Sequence, residues 1–213
     1  MPIAAKPLER FMNQARIKLP GASDHGILAE LYEVLREFFE ETNCWTEVIP
    51  FSVVANTQDY LLIPREDGTI IRLIGVRDHN LRSVNAFMDT LGTVTLVWPP
   101  NTTPPTDWEA KVVKNVTLPV TRDHVPIVPN DLFQRYETCT IDGLLGRMMG
   151  QQAKSYSNST LSVYHLRRFR SGLVSARTAA ARQNTVGAQT WAYPQNFATS
   201  NQRSTMSTAF PRF

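Results

Sequence analysis

The sequence predicts an α+β chain. It reads as an N-terminal helix, a small antiparallel β-sandwich or barrel inserted after it, a C-terminal helix pair that completes a helical bundle, and an extended C-terminal arm. Three observations carry this. Apolar residues recur at helical spacing from Ile27 to Phe39 and again from Leu132 to Ala180. Between Trp45 and about Val120 the period falls to two and turn signals interrupt it roughly every 8–15 residues. After Asn184 all periodicity stops. The resulting division places residues 1–44 and 129–183 in a helical bundle, 45–128 in a β domain, and 184–213 in the arm.

The first residues read as a leader, which ends in the breaker Leu19-Pro20-Gly21. Ser23 or Asp24 can then cap a helix by accepting its orphan N–H bonds. Ile27, Leu28, Leu31, Val34, Leu35, Phe38 and Phe39 line one face of that helix, six acidic or basic residues from Glu30 to Glu41 line the other, and Asn43 is a C-terminal stop. Six strands follow: Trp45–Val53, Tyr60–Ile63, Ile70–Val76, Ser83–Met88, Val94–Trp98 and Trp108–Leu118. Pro50, which has no N–H for a ladder, belongs on an edge or near a bulge.

Helical period returns at Pro129-Asn130-Asp131, with Asn130 the expected cap. Leu132, Phe133, Tyr136, Cys139, Thr140, Leu144, Met148 and Met149 form its apolar face. Gly143 and Gly146 inside this helix cost roughly 1 kcal/mol each against Ala. They mark either a close helix–helix crossing or a break near 143. Asn158 or Ser159 caps the last helix. Its apolar positions Val163, Leu166, Phe169, Leu173, Ala176 and Ala180 form a narrow seam. Beyond it, Trp191, Tyr193, Phe197, Phe210 and Phe213 stand as isolated aromatics in a Gln/Asn/Ser/Thr-rich stretch, whose sparse apolar content cannot offset its ordering entropy unaided.

Charge is divided along the chain. Of 22 basic residues, nine lie in the 71 residues from Gly143 to Phe213, where there is no acidic residue. The remaining 13, with all 19 acidic residues, precede Gly143 and sum to a formal −6. An acidic body joined to a basic arm points to a polyanionic partner or an acidic protein surface. Arg167, Arg170 and Arg177 share one stripe of the last helix, flanked by Arg168 and Arg182. A solvated face, docking on an acidic protein, and nucleic-acid contact compete for them. The last is the weakest, since the acidic body repels phosphates.

No apolar run reaches the roughly 18–20 residues of a membrane span, and no signal-peptide core opens the chain. The expectation is a soluble chain made in a cytosol. Cys44 and Cys139 read as free, buried thiols. The four histidines stand apart, and no metal spacing, phosphate loop or nucleophile elbow occurs. Arg77-Asp78-His79 and Arg122-Asp123-His124 repeat a tripeptide, read here as turn chemistry rather than catalysis. The expectation is no enzyme and no cofactor.

Two blocks of residues carry a family resemblance. One is Leu19-Pro20-Gly21-Ala22-Ser23, with Leu31 to Phe39 and Thr42-Asn43-Cys44-Trp45-Thr46-Glu47, then Tyr60-Leu61-Leu62-Ile63-Pro64. The other is Gly143 to Met149, Lys154-Ser155-Tyr156-Ser157-Asn158, and Tyr164-His165-Leu166-Arg167-Arg168-Phe169-Arg170. In this order and spacing, over about residues 8–197, the chain resembles the head–tail adaptor (connector) proteins of tailed bacteriophages. The resemblance implies a structural ring, typically of twelve copies, in the virion neck, assembled in the host cytoplasm. It implies contact with the portal protein above and a tail, tail-tube or nozzle protein below, with DNA passing non-specifically through the lumen and no membrane involved. The portal-facing part would be Leu161–Phe213, with Arg167, Arg168, Arg170, Arg177, Trp191, Tyr193, Phe197, Phe210 and Phe213 as contacts. Leu166, Phe169 and Leu173 would lie at the ring interface. A nucleic-acid-binding module built on helix 159–183, a tail terminator and a head-completion protein are the alternatives.

Overall fold

A Ser side chain starts the helix that precedes the β segment. In the computed structural model, which describes residues 5–65, 68–90, 92–98, 106–117 and 128–184, Ser23 Oγ accepts from the Gly26 N–H at 3.2 Å and opens α2 (Asp24–Thr42). Asp24 does not cap. It sits in the first turn and takes two bonds from the Arg16 guanidinium, at 2.9 and 2.8 Å. Asn43 closes α2 in the left-handed region at φ 53°, its N–H returning to Phe39 O. Asn tolerates this conformation better than most residues because its side chain is short and polar.

The expected leader is instead a helix, α1 (Ala5–Lys18). Phe11, Met12 and Ala15 recur along one of its faces, Leu19 follows its last turn, and all four are buried in the bundle core. Pro7 is tolerated because it falls in the first turn, where an N–H has no intrahelical partner.

Among the described residues seven strands follow: β1 (Thr46–Val53), β2 (Asp59–Leu61), β3 (Thr69–Arg77), β4 (Ser83–Val84), β5 (Ala86–Thr90), β6 (Thr93–Leu96) and β7 (Thr106–Asn115). They form two antiparallel sheets of order β1-β7-β3-β4 and β2-β6-β5. One expected strand, Ser83–Met88, is divided at Asn85: β4 pairs with β3 while β5 pairs with β6, so the chain passes from one sheet to the other there. Pro50 lies on edge strand β1, opposite Glu109. Inward residues of both sheets, among them Val53, Val76, Val94, Leu96, Ala110 and Val112, make a second core separate from that of the bundle.

A buried charge joins the two cores. Lys114, at the end of β7, is fully buried. Its Nζ lies 2.9 Å from Glu47 Oε2 and 5.0 Å from the centre of the Trp45 ring. The Lys114 N–H donates to Trp45 O at 2.8 Å, and the next residue, Asn115, donates from Nδ2 to Arg36 O on α2 at 3.2 Å. The strand end is thus bonded both to the segment leading into β1 and to the bundle.

The bundle is completed by α3 (Asn130–Met149) and α4 (Ser159–Asn184). Pro129, not Asn130, occupies the N-cap of α3, without a side-chain cap bond. No break occurs at Gly143 or Gly146. A Cβ at Gly143 would lie 2.7 Å from Val34 Cγ1 and 2.9 Å from Phe169 Cδ2, and one at Gly146 would lie 2.7 Å from Leu166 Cγ and 3.1 Å from its backbone N. Missing side chains are what let α3 approach α2 and α4 so closely. Asn158 caps α4, its Oδ1 accepting from the Leu161 N–H at 3.0 Å.

Candidate functional site

Helix α4 presents two unlike faces. Its inward stripe, Phe169, Ala176 and Ala180, is buried, with Leu166 and Leu173 half-buried beside it. The residues expected at a ring interface therefore face their own chain. Phe169 in particular is a core residue packed over Gly143, and Leu166 lies over Gly146. The physical reason is the glycine-lined approach of α3, which draws the seam inward from Leu166 onward; Val163, expected in the same seam, precedes that approach and is exposed.

The edge of α4 is held by a carboxylate that the sequence did not single out. Asp142 on α3 is buried and uses both oxygens: Oδ1 lies 2.8 Å from His165 Nδ1 and Oδ2 lies 3.0 Å from Arg168 Nε. Arg168 also donates to the Tyr164 hydroxyl at 3.1 Å, and that bond, with the nearby Asp142 charge, holds its pKa above the ordinary arginine value. Gln14, Lys18, Glu137, Thr138 and Ile141 border the same small pocket, of about 200 Å³. A buried carboxylate paired on both oxygens is expensive to expose or to strip of its partners. The arrangement clamps α4 to α3. Its sequence signal was the position of Asp142, the last carboxylate before the acid-free stretch begins.

Two further arginines tie the helices by charge. Arg147 on α3 reaches Glu37 at 2.5 Å and Glu30 at 4.0 Å, both on α2. Arg177 on α4 pairs with Glu41 of α2 through its carboxylate, and its Nε donates to Glu41 O at 2.8 Å.

The arginines of α4 thus separate into two groups. Arg168 and Arg177 have partners within the chain. Arg182, near the helix end, is exposed and has no such partner among the described residues. Arg167 and Arg170 are likewise exposed and make no hydrogen bond or ion pair there. They share a stripe with the exposed Val163 and Val174, at spacings of four, three and four residues. Trp191, Tyr193, Phe197, Phe210 and Phe213 lie outside the described residues, as does Arg122-Asp123-His124.

Elsewhere the chemistry is structural. Asp78 Oδ1 accepts from the backbone N–H groups of Asn80 and Arg82, so the first Arg-Asp-His tripeptide forms a turn. Cys44 and Cys139 are free and half-buried, and burial pushes both thiols up to about 11, which keeps them protonated near neutral pH. The outer face of the β2-β6-β5 sheet exposes Leu61 and Phe87, with Ile63 and Trp98 exposed just beyond its strands. Among the described residues no group of three or more His, Cys, Asp or Glu side chains is placed to hold a metal ion, and no helix is long and apolar enough to cross a membrane. No protein-family model matches this chain, and no curated protein matches it.

Proposed function

We propose that this chain is the subunit of a ring that joins the portal of a phage capsid to the tail, acting as a structural adaptor through whose channel DNA passes. The observation that carries this reading is the element order, with two helices, an inserted sandwich and a tight helix pair. That order is coupled to a charge division in which the last helix ends in an acid-free, basic segment. A closed ring of more than two copies needs two different faces on each subunit, and an acidic helix and a basic helix on one bundle supply them. The acidic body suits a channel wall that must not hold passing DNA, because like charge repels the phosphates. Repetition around a ring multiplies individually weak contacts into a durable joint.

The segment 185–213 is the part assigned to the portal, its aromatics serving as separate anchors in pockets of that neighbour. The test is truncation after Asn184. The shortened chain is expected to keep its melting temperature and to lose co-sedimentation with purified portal rings. Undiminished attachment would overturn the assignment, and electron microscopy of the particle neck would then locate the chain directly.

A further inference from the structure

A charge imbalance within the bundle suggests what covers the outer face of α4. Helix α2 carries six carboxylates (Asp24, Glu30, Glu33, Glu37, Glu40 and Glu41) and one arginine, while α4 carries five arginines and no carboxylate. Where the two helices meet inside one chain, the charges are already matched, as in the bond between Arg177 and Glu41. What remains is unmatched on both sides. On α4 these are Arg167 and Arg170, with Arg182 farther on near the helix end. On α2, Glu40 is exposed and without a partner among the described residues, and Glu33 is exposed and held only loosely by Arg36, at 3.6 Å. The stripe Ala29, Glu33, Arg36, Glu40 repeats the four-three-four spacing of Val163, Arg167, Arg170, Val174.

We infer that the Val163–Arg167–Arg170–Val174 face of α4 docks on the Glu33–Glu40 face of α2 in a second copy of this chain. The proposal rests on the ring reading and reassigns two arginines that the family resemblance had given to the portal. Arg suits such a contact because it keeps its charge when water is removed and offers carboxylates a forked pair of donors. Val163 and Val174 supply apolar area at the two ends of the arginine pair. The occupant is the same chain rather than nucleic acid because the complementary carboxylates are present on it, and because the surrounding body is acidic.

Charge reversal on the full chain tests this. Sedimentation velocity at low salt is expected to show assembly of the unaltered protein, with the assembled fraction falling as salt rises. Arg167→Glu with Arg170→Glu, and separately Glu33→Lys with Glu40→Lys, should each raise the concentration needed for half-assembly by roughly tenfold or more. All four positions are exposed, so circular dichroism should show unchanged folding. Mixing the two variants, or combining all four substitutions in one chain, should restore assembly. Assembly that ignores the reversals, or that is not restored by combining them, would overturn the pairing and leave the ring reading standing. Assembly that obeys the reversals but stops at two copies would keep the pairing and overturn the ring. A chain that stays monomeric throughout would overturn both. Salt-sensitive binding to a DNA duplex that falls with Arg167→Glu and Arg170→Glu, while assembly does not, would give this face to nucleic acid instead.

Discussion

The α3–α4 crossing and the β2-β6-β5 sheet solve opposite problems. At the crossing, side chains have been removed so that backbones can approach: Gly143 and Gly146 leave room that Phe169 and Leu166 fill. In the small sheet, side chains are abundant on both faces, and Leu61 and Phe87 remain in contact with solvent. The crossing is therefore intolerant of change and holds the bundle together. The sheet's outer face leaves those side chains exposed, so their removal should cost the fold little. Substitutions on the two sides should differ in size accordingly.

The largest effect should come from Phe169→Ala. The ring is buried over Gly143 and belongs to the bundle core, and removing a buried Phe costs about 3–5 kcal/mol. In a chain of this size that corresponds to a melting temperature lower by roughly 10 °C. A drop of less than a few degrees in differential scanning calorimetry would mean that α4 is held mainly by charge rather than by packing.

Next comes Gly146→Val, which tests the approach itself. Its Cβ would meet both the side chain and the backbone N of Leu166. A flexible side chain could move away, but the backbone cannot without displacing α4. Overpacking of this kind costs about 1–3 kcal/mol, and chemical denaturation should show it as a lower midpoint at an unchanged slope. Asp142→Ala should follow, at about 1–3 kcal/mol. It strands His165 and half-exposed Arg168, and Arg168 can recover water. The same change measured in an Arg168→Ala background should cost less, which would identify the pair as coupled rather than additive.

How much of this was legible in advance follows a physical line. Elements with strong local signals were readable: the α2 stripe, its Ser23 region, its Asn43 stop, Pro50 on an edge, and the two-period β segment. Helix α1 was missed because its apolar stripe is short and interrupted by polar residues, so only its burial against Phe133 reveals it; the two rings lie 5.6 Å apart. Asn130 looked like a cap because Asn caps helices, yet nothing local says that Pro129 holds that place. The glycines of α3 gave two readings, and only the position of α4 decides between them. The arginines show the limit most plainly. Periodicity groups Arg167, Arg170 and Arg177, whereas the structure separates Arg177 by its bond to Glu41 and leaves the other two open. Pairing across 136 residues of sequence has no local signature.

The smallest effect is expected where the comparison turns from folding to surface. Leu61→Ser and Phe87→Ser sit on the solvent face of their sheet, and the residues beneath them, Tyr60, Val94 and Leu96, are already buried against the opposite sheet. Each substitution should change stability by less than about 0.5 kcal/mol. The register is unaffected, since the inward residues that fix it are retained. If the pair instead lowered the denaturation midpoint as far as Gly146→Val does, the outer face would be part of the fold and could not be reserved for a neighbour. If stability held while attachment to the tail-side partner proposed above fell, that half of the sandwich would be assigned to that partner, opposite in role to the rigid crossing.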